Sequence, residues 1–319
     1  MCPIFLKKTM TAQTLIKLSQ SSTGLDSSID ELVRQVDALI DGHIFGTATE
    51  SSQIHNLALQ AAKYHLDAPG QKVRMRLCLS ACLELNVEHD DMLIISAVSE
   101  LLHNASLIHD DIQDGDEIRR GQITVWKKYG TNIAICAGDL LLSSAYSLLA
   151  GISNTKSLPI IISLVGRRTS SVIEGQSDDI ECKVHPIQCI DTYVRIAKAK
   201  SGALLGLPLE LAIVMSSQNH YLEIVRKSVS AFSVAYQMAD DLQDIEKDSP
   251  TNGQHKSLNV VHLLKDAGSE DPVGSAVKLT EQYLSEAAQS AEMLPDAMSE
   301  HLLKMIQQIQ AQLKNDHYS

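Results

Sequence analysis

The sequence predicts an all-α protein folded as one large domain of ten or more helices. Three observations carry this reading. Apolar residues recur at three- and four-residue intervals in segment after segment, the period of a helix with one buried face. No stretch alternates convincingly at period two, and no β-hairpin signal appears. Of the 319 residues 44% are hydrophobic, enough for a large core, and no repeat or low-complexity linker divides the chain.

Residues 1–25 are Ser/Thr-rich towards their end and read as a loose N-terminal arm, with residues 26–319 as the helical domain. Ile29, Leu32, Val36 and Leu39 open that domain at helical spacing. "SQIHNLALQAAKYHL" is the next helix, stopped by the turn "DAPG" with Pro69 and Gly70. "VRMRLCLSACLEL" follows, then "DDMLIISAVSELLHNASLIHDD", which is apolar on most sides and so belongs in the middle of a bundle. "NIAICAGDLLLSSAYSLLAGI", "SLPIIISLVGRRTSSVIEGQSDDIE", "CIDTYVRIAKAKSGALLGLPLELAIVM" and "YLEIVRKSVSAFSVAYQMADDLQDIEKD" continue the series. The polar gap "SPTNGQHKS" precedes "LNVVHLL", and helices resume at "PVGSAVKLTEQYLSEAAQSAEML" and "SEHLLKMIQQIQAQLK".

A net charge of -12 leaves no basic footprint, which excludes nucleic acid as the main partner. The six cysteines show no metal-ligand spacing, and Cys78 and Cys82 sit in an apolar helical stretch as buried thiols. Nothing suggests a disulfide framework, so a reducing cytoplasmic setting is expected. "MCPIFLKKTM" is not a secretory signal, and no apolar run approaches the roughly 18–20 residues of a membrane span. No stable membrane insertion is expected.

The chemistry concentrates in "LIHDDIQDGDEIRRGQ", residues 107–122, and in "ADDLQD", whose aspartates are Asp240, Asp241 and Asp244. In a helix, Asp110 and Asp114 stack one turn apart, with Asp111 beside them. Clustered carboxylates repel unless something positive sits among them. Mg²⁺ takes oxygen ligands and is usually held by a few carboxylates together with substrate phosphates. One copy alone reads as a solvated acidic helix end. Two copies, each ending an apolar helix and each reading Asp-Asp-apolar-Gln-Asp, point to a metal clamp instead.

These motifs resemble the trans-isoprenyl diphosphate synthase (polyprenyl synthetase) family over about residues 30–265, in its geranylgeranyl-or-longer branch. "DDIQDGDEIRRG" looks like the first aspartate-rich motif of that family and "YQMADDLQD" like the second. "PGQKVRMRL" resembles its Gly-Lys-x-x-Arg turn, "AKSGALL" its Lys-Thr element, "EGQSDD" its Gly-Gln-x-x-Asp element and "AGDLLLSSAY" its Gly-Asp helix. Their order and spacing make the resemblance specific.

The resemblance implies a single helical bundle of the isoprenoid synthase type around a central apolar cavity. It implies head-to-tail condensation of an allylic diphosphate (dimethylallyl, geranyl or farnesyl) with isopentenyl diphosphate, by a homodimer. By that analogy Asp110, Asp114 and Asp240 hold Mg²⁺ on the allylic diphosphate, with Asp111 and Asp244 as supporting ligands. Arg119, Lys200 and Lys256 reach the same diphosphate. Lys72, Arg74, His103 and Arg120 form a metal-free pocket for isopentenyl diphosphate, and Gln237 lies near the reacting carbons. His109 is read as structural, and Trp126 and Tyr129 as core or dimer contacts.

Four departures stand out. Gln71 occupies the family's usual lysine position beside Lys72, Ser201 replaces a Thr, and Tyr236 replaces a Phe. The loop after Asp244 is short and lacks the usual Gly-Lys pair.

Product length is read from the residues that point into the pocket from Asp110: Ser106, Ala105 and Leu102. Family members making the C15 product commonly place aromatic residues at the first two positions. Here both are small, and one helical turn of about 5.4 Å approximates one isoprene unit. A product of C20 or longer follows, with Leu102 or a residue of "LLLSSAYSLL" as floor. Two rivals compete. A class I terpene cyclase would not need a second aspartate pair or the basic turn, and a regulatory subunit of a heteromeric prenyltransferase would not keep both aspartate motifs.

Overall fold

The computed structural model describes residues 12–46, 55–185, 189–245 and 258–315, and these form the expected all-α bundle. Thirteen α-helices stand among the described residues. α1 (Ala12–Phe45) begins inside the stretch expected as a loose arm. Leu15, Ile16 and Leu18 keep helical spacing there, and serine is only a mildly poor helix former.

α2 (Leu57–Leu66) is capped by Asn56, whose side chain accepts the N–H groups of Ala58 and Leu59 at 2.9 and 3.2 Å. α3 (Val73–Glu84) follows the "DAPG" turn. α4 (His89–Asp114) carries the first aspartate motif on its last two turns and ends at Gly115, whose φ of +72° closes the helix as a side chain would not.

Next comes a feature the sequence reading denied, a minimal hairpin of β1 (Ile118–Arg119) and β2 (Gln122–Ile123). Its two turn residues, Arg120 and Gly121, have φ of +52° and +77°, as a two-residue hairpin of the right twist requires. Arg-Gly is not a standard signal for that turn, which explains why it went unread. An arginine held at positive φ stores strain, the kind of outlier found at functional sites.

α5 (Val125–Tyr129) and α6 (Thr131–Leu148) pack back on α2 and α4. α7 (Leu158–Val184) and α8 (Ile190–Ala197) lead into a π-helical turn, Lys198–Gly202, and then α9 (Ala203–Met215). α10 (Leu222–Gln243) ends in the second aspartate motif, followed by α11 (Val260–Asp266), α12 (Pro272–Ala291) and α13 (Asp296–Asn315).

Every residue of α9 is buried, among α3, α4, α7 and α10. Leucines fill much of it, each contributing about 1.5–3 kcal/mol when removed from water. Its one charge, Glu210, is 2% exposed and takes both Arg168 and Arg226, so the buried carboxylate is compensated. Contrary to the expectation that no apolar run approaches a membrane span, α4 and the stretch Thr131–Gly151 are long and apolar enough to cross one by length and composition. The apolar window of α4 is 72% buried against its neighbours, as in the core helix of a bundle, and that of α6 44%.

Candidate active site

The two aspartate motifs share one design. In each, the second aspartate turns into the protein, while the first does not: Asp110 lines the cavity and Asp240 is exposed. Asp111, 1% exposed, accepts from Arg119 Nε at 2.5 Å and so pins the Arg120–Gly121 hairpin to α4. Asp241, 3% exposed, accepts from the Tyr193 hydroxyl at 2.7 Å, the Val260 N–H at 2.7 Å and Gln237 Nε2 at 3.0 Å. It thereby ties α10 to α8 and α11. Periodicity places both members of a pair on a helix end but does not distinguish their directions.

Asp110 lines a cavity of about 460 Å³. Its carboxyl is pushed up to about 6, chiefly by burial, with Asp114 and Asp111 adding and Lys200 and Arg119 opposing. Lys200, on the π-helical turn, reaches into the same cavity and donates to Asp179 at 2.6 Å. Burial works against its ammonium, but Asp179, Asp114 and Asp110 outweigh it and hold the pKa above the ordinary lysine value. Asp240 is exposed and Asp244 half-buried at the end of α10. Gln237 and Lys200 line a small cavity together with Asp179 and Tyr193.

A basic wall faces the aspartates. Arg74 Nη1 donates to His103 Nε2 at 3.1 Å. Arginine is a donor only, so that nitrogen of His103 is the acceptor and the neutral ring carries its proton on Nδ1. Burial, then Arg74 and Arg120, keep His103 far below its ordinary pKa, consistent with a neutral ring. Burial also lowers Arg74 to about 10, with Glu100 and Tyr236 opposing. Arg119 and Arg120 complete the wall, Arg120 passing under Gly70 so closely that a Cβ there would lie 2.7 Å from Nη1.

Against expectation, Lys72 is not brought to this wall. It stands before α3 at a φ of +49° and ion-pairs with Asp37 of α1, in a neighbouring cavity of about 430 Å³. Gln71 lines the main cavity in its place. Helix α3 starts at Val73, so residues 71 and 72 leave the turn in different directions, and adjacency in sequence did not make them interchangeable. Lys256 lies outside the described residues.

Beside Ser106 and Leu204, which line both, lies a smaller cavity of about 60 Å³, lined by Leu102 and Ala105 of α4, Leu142 of α6 and Ile173 of α7. His109 also lines it, lying over Gly138, where a Cβ would come within 2.3 Å of the ring. Sequence reasoning missed Asp179, though it quoted the motif containing it, and the cavity-lining Met305 and Gln308; Tyr236, noted only as a departure, lines the cavity too. Met305 and Gln308 come from α13, whose amphipathic pattern gives no sign of which neighbour it covers. Trp126 donates to the Asp116 carbonyl at 2.7 Å, and Tyr129 meets Tyr64 edge-on, with ring centroids 5.8 Å apart.

Among the described residues no three His, Cys, Asp or Glu side chains converge on one point. Mg²⁺ does not demand that, since one or two carboxylates with water and substrate phosphates usually complete its shell. Asp110, destabilised by burial and by two like charges, is the donor such a cation would keep ionised, and the residues fit it.

Residues 55–263 match the family model described as polyprenyl synthetase. The chain is 30% identical over 202 residues to an all-trans-nonaprenyl-diphosphate synthase (geranyl-diphosphate specific) of Rhodobacter capsulatus, covering 62% of this chain and 60% of that protein. It is 31% identical over 210 residues to the chloroplastic geranylgeranyl pyrophosphate synthase of Capsicum annuum, covering 63% of this chain and 57% of the relative. The aligned stretch thus spans about three fifths of the length of these curated relatives. Among solved structures, a geranylgeranyl pyrophosphate synthetase from the archaeon Geoglobus acetivorans superposes with a TM-score of 0.75 at 21% identity, over 88% of this chain and 98% of the other, and shares the fold. With the matched stretch running from before α2 into α11 and containing both aspartate motifs, the chain belongs to the polyprenyl synthetase family.

Proposed function

We propose that the chain is a Mg²⁺-dependent trans-prenyltransferase that joins an allylic diphosphate to isopentenyl diphosphate and releases an all-trans product of C20 or longer. The observation that carries this reading is the division of one cavity into an acidic side, with Asp110 and Lys200, and a basic side, with Arg74, His103 and Arg120. Two diphosphates need two such grips. The metal, when bound, supplies positive charge to the departing diphosphate.

The chain's own residues do the rest. Asp110, Asp114 and Asp240 hold the allylic diphosphate through that charge, and Lys200 and Arg119 reach it as direct donors. Arg74 and Arg120 take the second diphosphate, and neutral His103 offers one N–H without adding charge. Asp179 holds the Lys200 ammonium in place while the negative charge of the leaving group grows. Leu204, Leu205 and Phe232 line the same cavity and exclude water from the carbocation. Asp111 and Asp241 are positioning residues in this scheme.

The small side chains of Ala105 and Ser106 in the smaller cavity beside the main one support a product beyond C15, which Leu102 and Leu142 of the same lining would limit. Exposed isoleucines on α6 and α7, Ile135, Ile160, Ile162 and Ile173, support a homodimer. The described cysteines are all free, which suits a reducing compartment such as the cytoplasm.

The test is product analysis by mass, with excess isopentenyl diphosphate and each allylic starter in turn. A C20 or longer prenyl diphosphate is expected, abolished by chelation and restored by Mg²⁺. A cyclised hydrocarbon, or no consumption of isopentenyl diphosphate, would overturn the reading. Ala105→Phe should shorten the product by about one isoprene unit, because an aromatic ring there fills roughly one helical turn of the pocket.

A further inference from the structure

A second cavity, of about 600 Å³, lies on the far side of the turn that carries Lys200. It shares no lining residue with the cavity over Asp110. The helical period explains the separation. Along the turn and α9, residues 200, 201, 204 and 205 face the candidate active site, whereas residues 198, 199, 202, 203, 206 and 210 face outward.

The floor of this outer cavity is small and apolar: Gly175, Ala199, Gly202, Ala203, Gly206 and Val229. Four cations stand around it, Arg168, Arg195, Lys198 and Arg226, against three carboxylates, Glu174, Asp178 and Glu210. Asp178 is matched by Arg195, and Glu210 by Arg168 and Arg226 together. Lys198 has no ion-pair partner among the described residues. Arg168 Nε is buried with no acceptor. Arg226 is shared further with Glu223, and Glu174 has no cation among the described residues, so the charges around the cavity balance and the uncommitted cation is the exposed Lys198 ammonium at the edge of an apolar floor. An oxyanion can draw on Lys198 without breaking the ion pairs of Arg168, Arg195 and Arg226.

The wall between the two cavities is thin and jammed. A Cβ at Gly175 would sit 2.7 Å from both the Ala199 Cβ and the Lys200 nitrogen, so α7 touches the turn backbone itself. A Cβ at Gly202 would sit 2.7 Å from Ser233 Oγ on α10. π-Helical turns of this kind are frequently placed at functional sites. Anything that settles against Ala199 from outside presses on the backbone that aims Lys200 inward.

We propose that this outer cavity is a second ligand site, for a small phosphate-bearing molecule with an apolar body, and that its occupancy is transmitted to Lys200 through the shared turn. The phosphate chemistry has two sources, free inorganic diphosphate and a prenyl diphosphate whose chain rests on the glycine and alanine floor.

The binding is read without turnover, in EDTA and without isopentenyl diphosphate. Inorganic diphosphate and geranyl diphosphate are titrated separately, by calorimetry, into the wild-type chain, Arg74→Ala, Lys198→Glu and Lys198→Arg. A site that survives Arg74→Ala, weakens about tenfold or more in Lys198→Glu and is kept in Lys198→Arg is expected. Tighter binding of geranyl than of inorganic diphosphate at that site assigns the apolar body, and equal binding removes that part of the proposal. Hydrogen exchange at residues 198–203 of Arg74→Ala should slow with ligand, and should not slow when Lys198→Glu is added. Unchanged stoichiometry and affinity in Lys198→Glu, with helical content intact by circular dichroism, would mean that only the inner cavity binds, and the proposal falls. The transmitted effect rests on the activity proposed above, but the site does not. An inactive chain that binds keeps the site, and an active chain without outer binding loses it alone.

Discussion

His65 shows what one side chain can report. It is 7% exposed, its Nε2 has no hydrogen-bond partner, and Arg120 and Arg119 are its charged neighbours. Burial first, then those arginines, lower its pKa to about 4. The unfolded chain binds its proton near pH 6.5 and the folded chain only near pH 4, so the unfolded state gains protons first as pH falls. Stability is therefore full above about pH 6.5 and is lost as pH drops towards 4, by up to about 3 kcal/mol from this residue. Urea unfolding at pH 7, 5.5 and 4 should show that loss, and His65→Met should flatten it. An identical slope in the variant would remove His65 as the cause. At this scale the sequence was half legible. The types Asp, Arg, Lys and His in two repeated motifs declared the chemistry, but direction did not. Asp110 and Asp111 look equivalent in the chain, and Lys72 looks a better phosphate ligand than Gln71. Only the last turn of α4 and the first of α3 decide which of each pair meets the cavity.

Among elements, the π-helical turn is the most exposed to test. Helix periodicity made "CIDTYVRIAKAKSGALLGLPLELAIVM" one continuous segment. The structure inserts a wider turn at Lys198–Gly202, and no residue type in it announces that. Gly175→Ala should force α7 and the turn apart, costing about 1–3 kcal/mol as overpacking usually does. A lowered melting temperature is expected, together with a larger loss of kcat than of isopentenyl diphosphate affinity, since Lys200 shifts and Arg74 does not. If melting and kcat both match the wild type, the contact in solution is looser than 2.7 Å implies. The hairpin at Arg120 and the cavity-covering role of α13 escaped the sequence for a related reason. Both are set by tertiary contacts that periodicity does not show, Asp111 of α4 for the first and the distant α3 for the second.

For the whole molecule, helix number, the absence of long strands and the place of the two motifs at helix ends were readable from periodicity and caps. Which helix sits at the centre was not. α4 and α9 are both apolar nearly all round, and only α9 is buried at every residue. The isoleucines left outside on α7 carry the prediction at this scale. Sedimentation should give a dimer of the chain. Replacing Ile162 and Ile173 together by Asp should shift it towards monomer while circular dichroism stays helical. A wild-type monomer would assign those side chains to another partner.

The inward turn of Asp111 and Asp241 bears on how such motifs are scanned. Replacing all six aspartates one at a time and ranking the losses would treat two different failures as one. Loss at Asp110 or Asp240 should be open to relief by more metal, because the scaffold stands and only affinity has dropped. Loss at Asp111 or Asp241 should not, because the hairpin or the α10–α11 junction has come untied. A metal titration run beside the scan sorts the six into clamp and rivet, a distinction that the letters DDxxD hide.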